Sequence, residues 1–191
     1  MLTFVRTVFL IRHASPDLNR SDLVYHLPPG PPLTSTGLQE AAVMAEFLKE
    51  AGNIGRIYTS PLDRCLQTAR VIAQKICLPV QVEPGLAEVD PAETEADLRA
   101  RVWPVWQKAL DGESTAAGKN EAVALVTHGA PVALLLKDLK LDEESLNTAR
   151  QRFDHSNPLP PAGVWRAARQ DSQDDWQLDL VFVPEDYNIK S

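Results

Sequence analysis

The residue types that handle phosphate stand in this chain at the ends of apolar runs. "VFLIRH" closes on Arg12 and His13, "AVALVTH" closes on His128, and Arg64 lies within one helical turn of the end of "RIYTS". Glu88 and Asp90 follow "PVQVEP". Guanidinium groups offer bidentate hydrogen bonds to phosphate oxygens. A neutral imidazole can attack phosphorus, and a carboxylic acid can protonate the oxygen that leaves. Taken singly, each has an ordinary structural reading: His128 a satisfied strand-end residue, Arg64 a helix-surface charge, Glu88 a loop acid. Their importance depends on whether the fold brings them together.

The elements that must position them alternate. Val8 to Ile11 reads as a strand buried on both faces, because the run is apolar without alternation. Asp17 to Pro32, ending in "LPPGPPL", has no period and reads as a loop. A helix is expected from Thr36, with Gln39 at the capping-box position, an apolar face of Leu38, Ala41, Ala42, Ala45 and Leu48, and Gly52 as its stop. "RIYTS" is a second strand. The next helix is expected to take Ser60 as N-cap and Pro61 as its first residue, with Leu62, Leu66, Ala69, Ile72, Ala73 and Ile76 inward. A third strand, "PVQVEP", precedes a helix from Glu95 to Leu110 that contains Pro104. "AVALVTHG" is the fourth strand, a helix opens at Pro131, and another spans Asp142 to Phe153. "VWRAAR" and "WQLDLVFV" form the arms of a hairpin. Such alternation predicts an α/β fold with a mainly parallel sheet and an antiparallel C-terminal edge. In these folds ligands bind beyond the carboxyl ends of the strands. Arg12, His13, Arg64, His128 and a carboxylate, Glu88 or Asp90, therefore converge on one rim. Gly129, between His128 and the helix that opens at Pro131, joins them as a candidate substrate-binding residue, since helix N-termini favour anions.

The 191 residues suffice for one domain, residues 1–191, with a sizeable core. A net charge of −7 argues against nucleic acid as a partner, though a local cationic pocket remains compatible with it. No segment approaches the length of a membrane span, and no membrane partner is expected. The apolar run before Arg12 is too short for a signal peptide, and Arg6 interrupts what precedes it. Two cysteines, Cys65 and Cys77, make no disulfide framework, so a reducing, cytoplasmic setting is expected. Cys65 begins a C-x4-R stretch with Arg70, one residue short of a cysteine-phosphatase loop, and reads as a packing residue. No Asp/His cluster with ligand spacing is visible, so no metal or other cofactor is expected.

"RHASPDLN", "LTSTGLQEA", "SPLDRCLQTA", "LAE" and "VTHGAP" resemble, in order and spacing, the motifs of the histidine phosphatase superfamily, the phosphoglycerate-mutase-like family. The resemblance runs from about Phe9 to Leu136. It implies a three-layer α/β/α sandwich without a metal. It implies His13 as a nucleophile that becomes phosphohistidine, and Arg12, Arg64 and His128 as holders of the phosphoryl oxygens. It gives Asn19 a place on the phosphate side and makes Glu88, in the L-x-E position, the proton donor ahead of Asp90. Ala14 replaces the usual glycine after the histidine. The Arg-Phe-x-Gly-Trp stretch of mutases and their long insertion after the acid are absent. These departures favour a phosphomonoester phosphatase acting on a small phosphorylated metabolite or a phosphoprotein. A phosphoglycerate-type mutase, or a module that binds phosphoproteins without turnover, are the alternatives.

Overall fold

The computed structural model describes residues 5–111, 121–170, 174–185 and 187. Six strands form one sheet in the order β3-β2-β4-β1-β5-β6. They are β1 (Val5–Arg12), β2 (Ile54–Thr59), β3 (Val80–Val82), β4 (Ala122–Thr127), β5 (Val164–Gln170) and β6 (Gln177–Phe182). The first four run parallel, and β5 and β6 add the antiparallel edge. Residues 171–173 of the β5–β6 turn lie outside the described residues.

The helices cover both faces. Helices α1 (Ser35–Ala51) and α2 (Asp63–Ile76) pack on one side, and α3 (Glu95–Asp111), α4 (Gly129–Asp138) and α5 (Glu143–Arg152) on the other. Alternate residues of a strand point to opposite faces. Val8 and Leu10 thus enter the core beneath α3–α5, while Phe9 and Ile11 enter the core beneath α1 and α2. Val123 and Leu125 divide from Ala124 and Val126 in the same way. Two cores on one strand explain the unbroken apolar runs, and the architecture is the expected three-layer α/β/α sandwich.

Three helix starts differ from the expectation, and α4 opens at Gly129, two residues before Pro131. α1 is capped by Thr34, whose hydroxyl accepts from the Gly37 amide at 2.9 Å, not by Thr36. Its inward face is Gly37, Ala41, Met44, Ala45 and Leu48; Leu38 and Ala42 face outward. Helix α2 begins at Asp63 with Leu62 as its cap residue, and no side chain caps it. Its buried residues are Arg64, Cys65, Thr68, Ala69 and Ile72, so the face is rotated toward polar side chains. Tertiary packing overrides the apolar count there, because Arg64 and Thr68 have partners inside.

Gly37 lets α1 press on the backbone that follows β1. A Cβ at this position would lie 2.2 Å from the Ser15 carbonyl oxygen. Alanine is the better helix former by about 1 kcal/mol, yet Gly37→Ala is expected to destabilise the protein by about 1–3 kcal/mol through overpacking. The thermal midpoint should fall; a rise would show that the Ser15 segment yields freely.

Candidate active site

The register of the parallel strands sets the site. Arg12 on β1 pairs with Thr127 on β4, and Thr59 on β2 pairs with Val126. The residues just beyond these ends are His13, His128 and Ser60. The His13 amide donates to the Thr127 carbonyl at 3.0 Å, and the Ser60 amide to the Val126 carbonyl at 3.0 Å. The two imidazoles meet edge to face, their centroids 5.2 Å apart.

His13 is 1% exposed. Its Nδ1–H donates to the Ala14 carbonyl at 2.8 Å, and its Nε2 has no hydrogen-bond partner. That bond fixes the tautomer and leaves the lone pair on Nε2. Burial, then the nearby Arg64 and Arg12, hold its pKa well below the ordinary 6.5, so the ring is neutral.

Arg64 is fully buried. Its Nη1 donates to the Tyr25 carbonyl at 2.8 Å, and its guanidinium carbon lies 4.0 Å from the centre of the Tyr25 ring. Its Nη2 faces His128 Nδ1 at 3.1 Å. Arginine can only donate, so Nδ1 accepts and the His128 proton sits on Nε2, donated to Ser60 Oγ at 2.8 Å. Burial, followed by His13 and the arginines, also lowers the His128 pKa well below 6.5. Ser60 is thus a partner of His128 and not the cap of α2.

Arg12 forms a bidentate pair with Asp154, Nη1 to Oδ1 at 2.8 Å and Nη2 to Oδ2 at 3.1 Å. Tyr187 donates its hydroxyl to Asp154 Oδ1 at 3.0 Å. Nε of Arg12 and Nε of Arg64 are buried without a partner, like His13 Nε2. The two guanidinium Nε–H groups suit an anion that brings its own acceptors, and the Nε2 lone pair is open to an electrophile.

The two carboxylates separate clearly. The Glu88 side chain is 13% exposed, with Oε2 3.4 Å from His128 Nδ1 and 3.6 Å from Arg64 Nη2. Burial raises its pKa above the ordinary 4.5 despite the arginines. The Asp90 side chain is 49% exposed and sits 3.6 Å from His26 Nε2, away from the cluster. Arg101 braces the Glu88 segment, donating to the carbonyls of Gly85 and Ala87 at 2.8 Å each and of Glu88 at 3.2 Å. Thr127 Oγ1 adds a bond to the Leu86 carbonyl at 2.7 Å.

The structure therefore brings together Arg12, His13, Arg64, Glu88 and His128. Among the described residues no hydrogen bond or ion pair joins Asn19 to them: Asn19 is exposed in the 17–32 loop, its backbone amide bonded to Asp17 Oδ1 at 3.1 Å. Gly129 opens α4 beside His128, where a Cβ would lie 1.5 Å from Asn157 Oδ1, so it serves close packing. Asp154, Arg101 and Tyr25 were invisible as site residues, since only folding carries these segments to the cluster. Ser60, at a strand's carboxyl end, had the one positional signal.

Spacing along the chain also hid a compact group. Ligand atoms of His13, Glu88 and His128 lie within 4.8 Å of one another, close enough to reach one metal ion. This corrects the reading that no such cluster exists. The donors come from three separate segments, so no motif announces them. Arg12 and Arg64 beside the group set a positive potential there, which opposes a cation and favours an anion.

The profile of the histidine phosphatase superfamily (branch 1) matches residues 8–95. The probable phosphoglycerate mutase GpmB of Yersinia enterocolitica is 36% identical over 160 residues, covering 69% of this chain and 74% of that protein. The chain belongs to the histidine phosphatase superfamily. The probable phosphoglycerate mutase GpmB of Proteus mirabilis is 32% identical over 146 residues, and the chain spans 66% of its length. Mycobacterial glucosyl-3-phosphoglycerate phosphatase shares the fold, with a TM-score of 0.69, 19% identity, and coverage of 94% of this chain and all of that one. These relatives are named as a probable mutase and as a phosphatase. Among the described residues no helix is long and apolar enough to cross a membrane.

The cysteine next to the cluster is chemically quiet. Cys65 Sγ lies 3.5 Å from His128 Nε2, but burial pushes its thiol up to about 12. Thiolates react and thiols do not. Iodoacetamide at neutral pH should label exposed Cys77 and spare Cys65 until the protein unfolds. Peptide mass mapping checks this, and early labelling of Cys65 would contradict it.

Proposed function

We propose that the protein is a metal-independent phosphomonoester phosphatase that works through a phosphohistidine at His13. The observation that carries this reading is His13 itself: buried, neutral, its Nδ1–H held by Ala14 and its Nε2 unpartnered between two buried guanidiniums. The Nε2 lone pair attacks phosphorus as the ester P–O bond breaks. Glu88, whose raised pKa favours the protonated acid, gives its proton to the departing alkoxide. A water then attacks the phosphohistidine and passes a proton to Glu88. The P–N bond breaks, its electron pair returns to Nε2, and inorganic phosphate leaves.

Arg12 and Arg64 offset the charge that builds on the phosphoryl oxygens. In the ligand-free arrangement His128 accepts from Arg64. The Ser60 hydroxyl can donate as well as accept. When Arg64 turns its Nη2 to a phosphoryl oxygen, Ser60 can donate to His128 Nε2 and the imidazole proton can sit on Nδ1, facing the phosphoryl group. A mutase differs only in the acceptor, a second alcohol in place of water. Release of inorganic phosphate, without interconversion of 2- and 3-phosphoglycerate, separates the two.

His13→Ala should lower kcat by about 10³-fold or more. Labelled substrate should trap an acid-labile, base-stable phosphoprotein in the wild type alone. Activity in EDTA should persist; loss on chelation, restored by a divalent ion, would assign the His13–Glu88–His128 group to a metal.

The pH profile of kcat/KM follows from the two shifted groups. The nucleophile must be unprotonated, and the lowered pKa of His13 moves the acid limb below 6.5. The acid must be protonated, and the raised pKa of Glu88 moves the alkaline limb above 4.5. Glu88→Gln should abolish the alkaline limb. It should slow alkyl phosphates strongly and p-nitrophenyl phosphate little, since nitrophenolate leaves without a proton. Asp90→Asn should do neither; the reverse pattern would give the acid role to Asp90.

A further inference from the structure

The protein fastens Arg12 along one edge and leaves the other open. An arginine presents its N–H groups along two edges, an end formed by Nη1 and Nη2 and a side formed by Nη2 and Nε. Asp154 takes the end, with Oδ1 on Nη1 at 2.8 Å and Oδ2 on Nη2 at 3.1 Å. The Leu159 carbonyl accepts from Nη1 as well, at 3.0 Å. The side edge is left over, and its Nε is buried without a partner. The charge of Arg12 is felt at His13, Glu88 and His128 alike.

Asp154 is itself held. It opens the single turn of 3₁₀ helix, Asp154–Ser156, that follows α5. Its carbonyl accepts from the Asn157 amide at 3.0 Å and from Asn157 Nδ2 at 3.1 Å. Asn157 in turn packs against Gly129, filling the place a Cβ would need. A second hold comes from Tyr187, which follows β6 in the chain. Its hydroxyl accepts from the Asp154 amide and donates to Asp154 Oδ1, each at 3.0 Å. Its ring meets Phe153 edge to face, the centroids 5.6 Å apart, and its amide donates to the Pro184 carbonyl at 3.1 Å. A carboxylate at this place makes the potential less positive, which works against the binding of an anion. What it supplies is direction: with the end edge fastened, the side edge keeps one orientation.

We propose that Asp154 is a positioning residue of the phosphate site, which aims the Nη2–Nε edge of Arg12 at the phosphoryl oxygens, and that Tyr187 fixes Asp154 for this task. The chain beyond β6 thereby belongs to the site. This deepens the phosphatase reading and rests on it.

Asp154→Asn keeps the size of the side chain but puts an N–H donor where the guanidinium needs an acceptor. It should lower kcat by about 10²-fold, the scale of a misplacement of about 1 Å. KM should stay level or fall, since loss of the carboxylate makes the site more positive. Asp154→Glu should restore part of kcat. The readout that a loss of folded protein cannot move is a ratio of affinities, measured by calorimetry. Vanadate adopts the geometry of the transferring phosphoryl group and inorganic phosphate does not, so Asp154→Asn should cut the advantage of vanadate over phosphate by about tenfold. Tyr187→Phe keeps the ring and deletes only the hydroxyl; it should lower kcat by about threefold, the low end for one hydrogen bond. An unchanged vanadate-to-phosphate ratio in Asp154→Asn would overturn the assignment. Where that variant does not fold, unchanged kcat in Tyr187→Phe would overturn it. A wild type that hydrolyses no phosphate ester, yet loses its vanadate preference on Asp154→Asn, would remove the phosphatase reading and leave Asp154 its role.

Discussion

The site depends on one constraint, the parallel register that ends β2, β4 and β1 at the same level. Arg12 opposite Thr127, and Thr59 opposite Val126, place His13, His128 and Ser60 side by side at the carboxyl edge of the sheet. The backbone bonds from His13 to Thr127 and from Ser60 to Val126 continue the ladder past the last paired residues. A slip of one residue would invert the faces of a strand. It would also carry one imidazole away from the other. The two cores above and below the sheet oppose any such slip, because each strand is apolar on both faces.

Packing around these residues excludes water, and burial then governs their chemistry. Two arginines and two histidines are buried within a few ångströms of one another. Desolvating a cation costs on the order of several kcal/mol unless acceptors replace water. Asp154 offsets Arg12, and the Tyr25 carbonyl and ring meet Arg64. The imidazoles remain neutral, and the Glu88 carboxyl is pushed toward its acid form. One environment thus yields a free imidazole lone pair and an available proton, the two things an ester cleavage needs. Arg12 Nε, His13 Nε2 and Arg64 Nε are buried there without a hydrogen-bond partner.

The carboxyl group is the one member not carried by a strand end. It reaches the cluster on a short segment that includes a single turn of 3₁₀ helix, Pro84–Leu86. Arg101 from α3 and Thr127 from β4 hold this segment by its carbonyls. The 17–32 loop reaches the same segment, with His26 Nε2 3.6 Å from Asp90 Oδ2. Its ends are clasped by the Asp17 amide on the Pro32 carbonyl at 2.8 Å, and its Pro29 carbonyl accepts from the Asp63 amide at 2.7 Å, at the start of α2.

The sequence by itself determined the strands, because a run such as Val8 to Ile11, apolar at every position, suits only a strand buried on both faces. It also determined that Arg12, His13, Arg64 and His128 would meet. Each follows a parallel strand, and such strands share a carboxyl edge. The "L-x-E" position singled out Glu88 over Asp90, and its burial agrees with that. Helix starts were less legible: a hydroxyl at Thr36 or Ser60 looks like a cap, but Thr34 has the geometry, and Ser60 is bound to His128. Tertiary structure alone decided strand order, the Asp154–Arg12 pair, the brace from Arg101 and the gathering of His13, Glu88 and His128 into one compact group. It also left Asn19 in solvent. These are contacts between segments far apart in the chain, and local periodicity carries no information about partners at that distance. What a side chain is near is set by the packing of whole elements, and its pKa is set by what it is near.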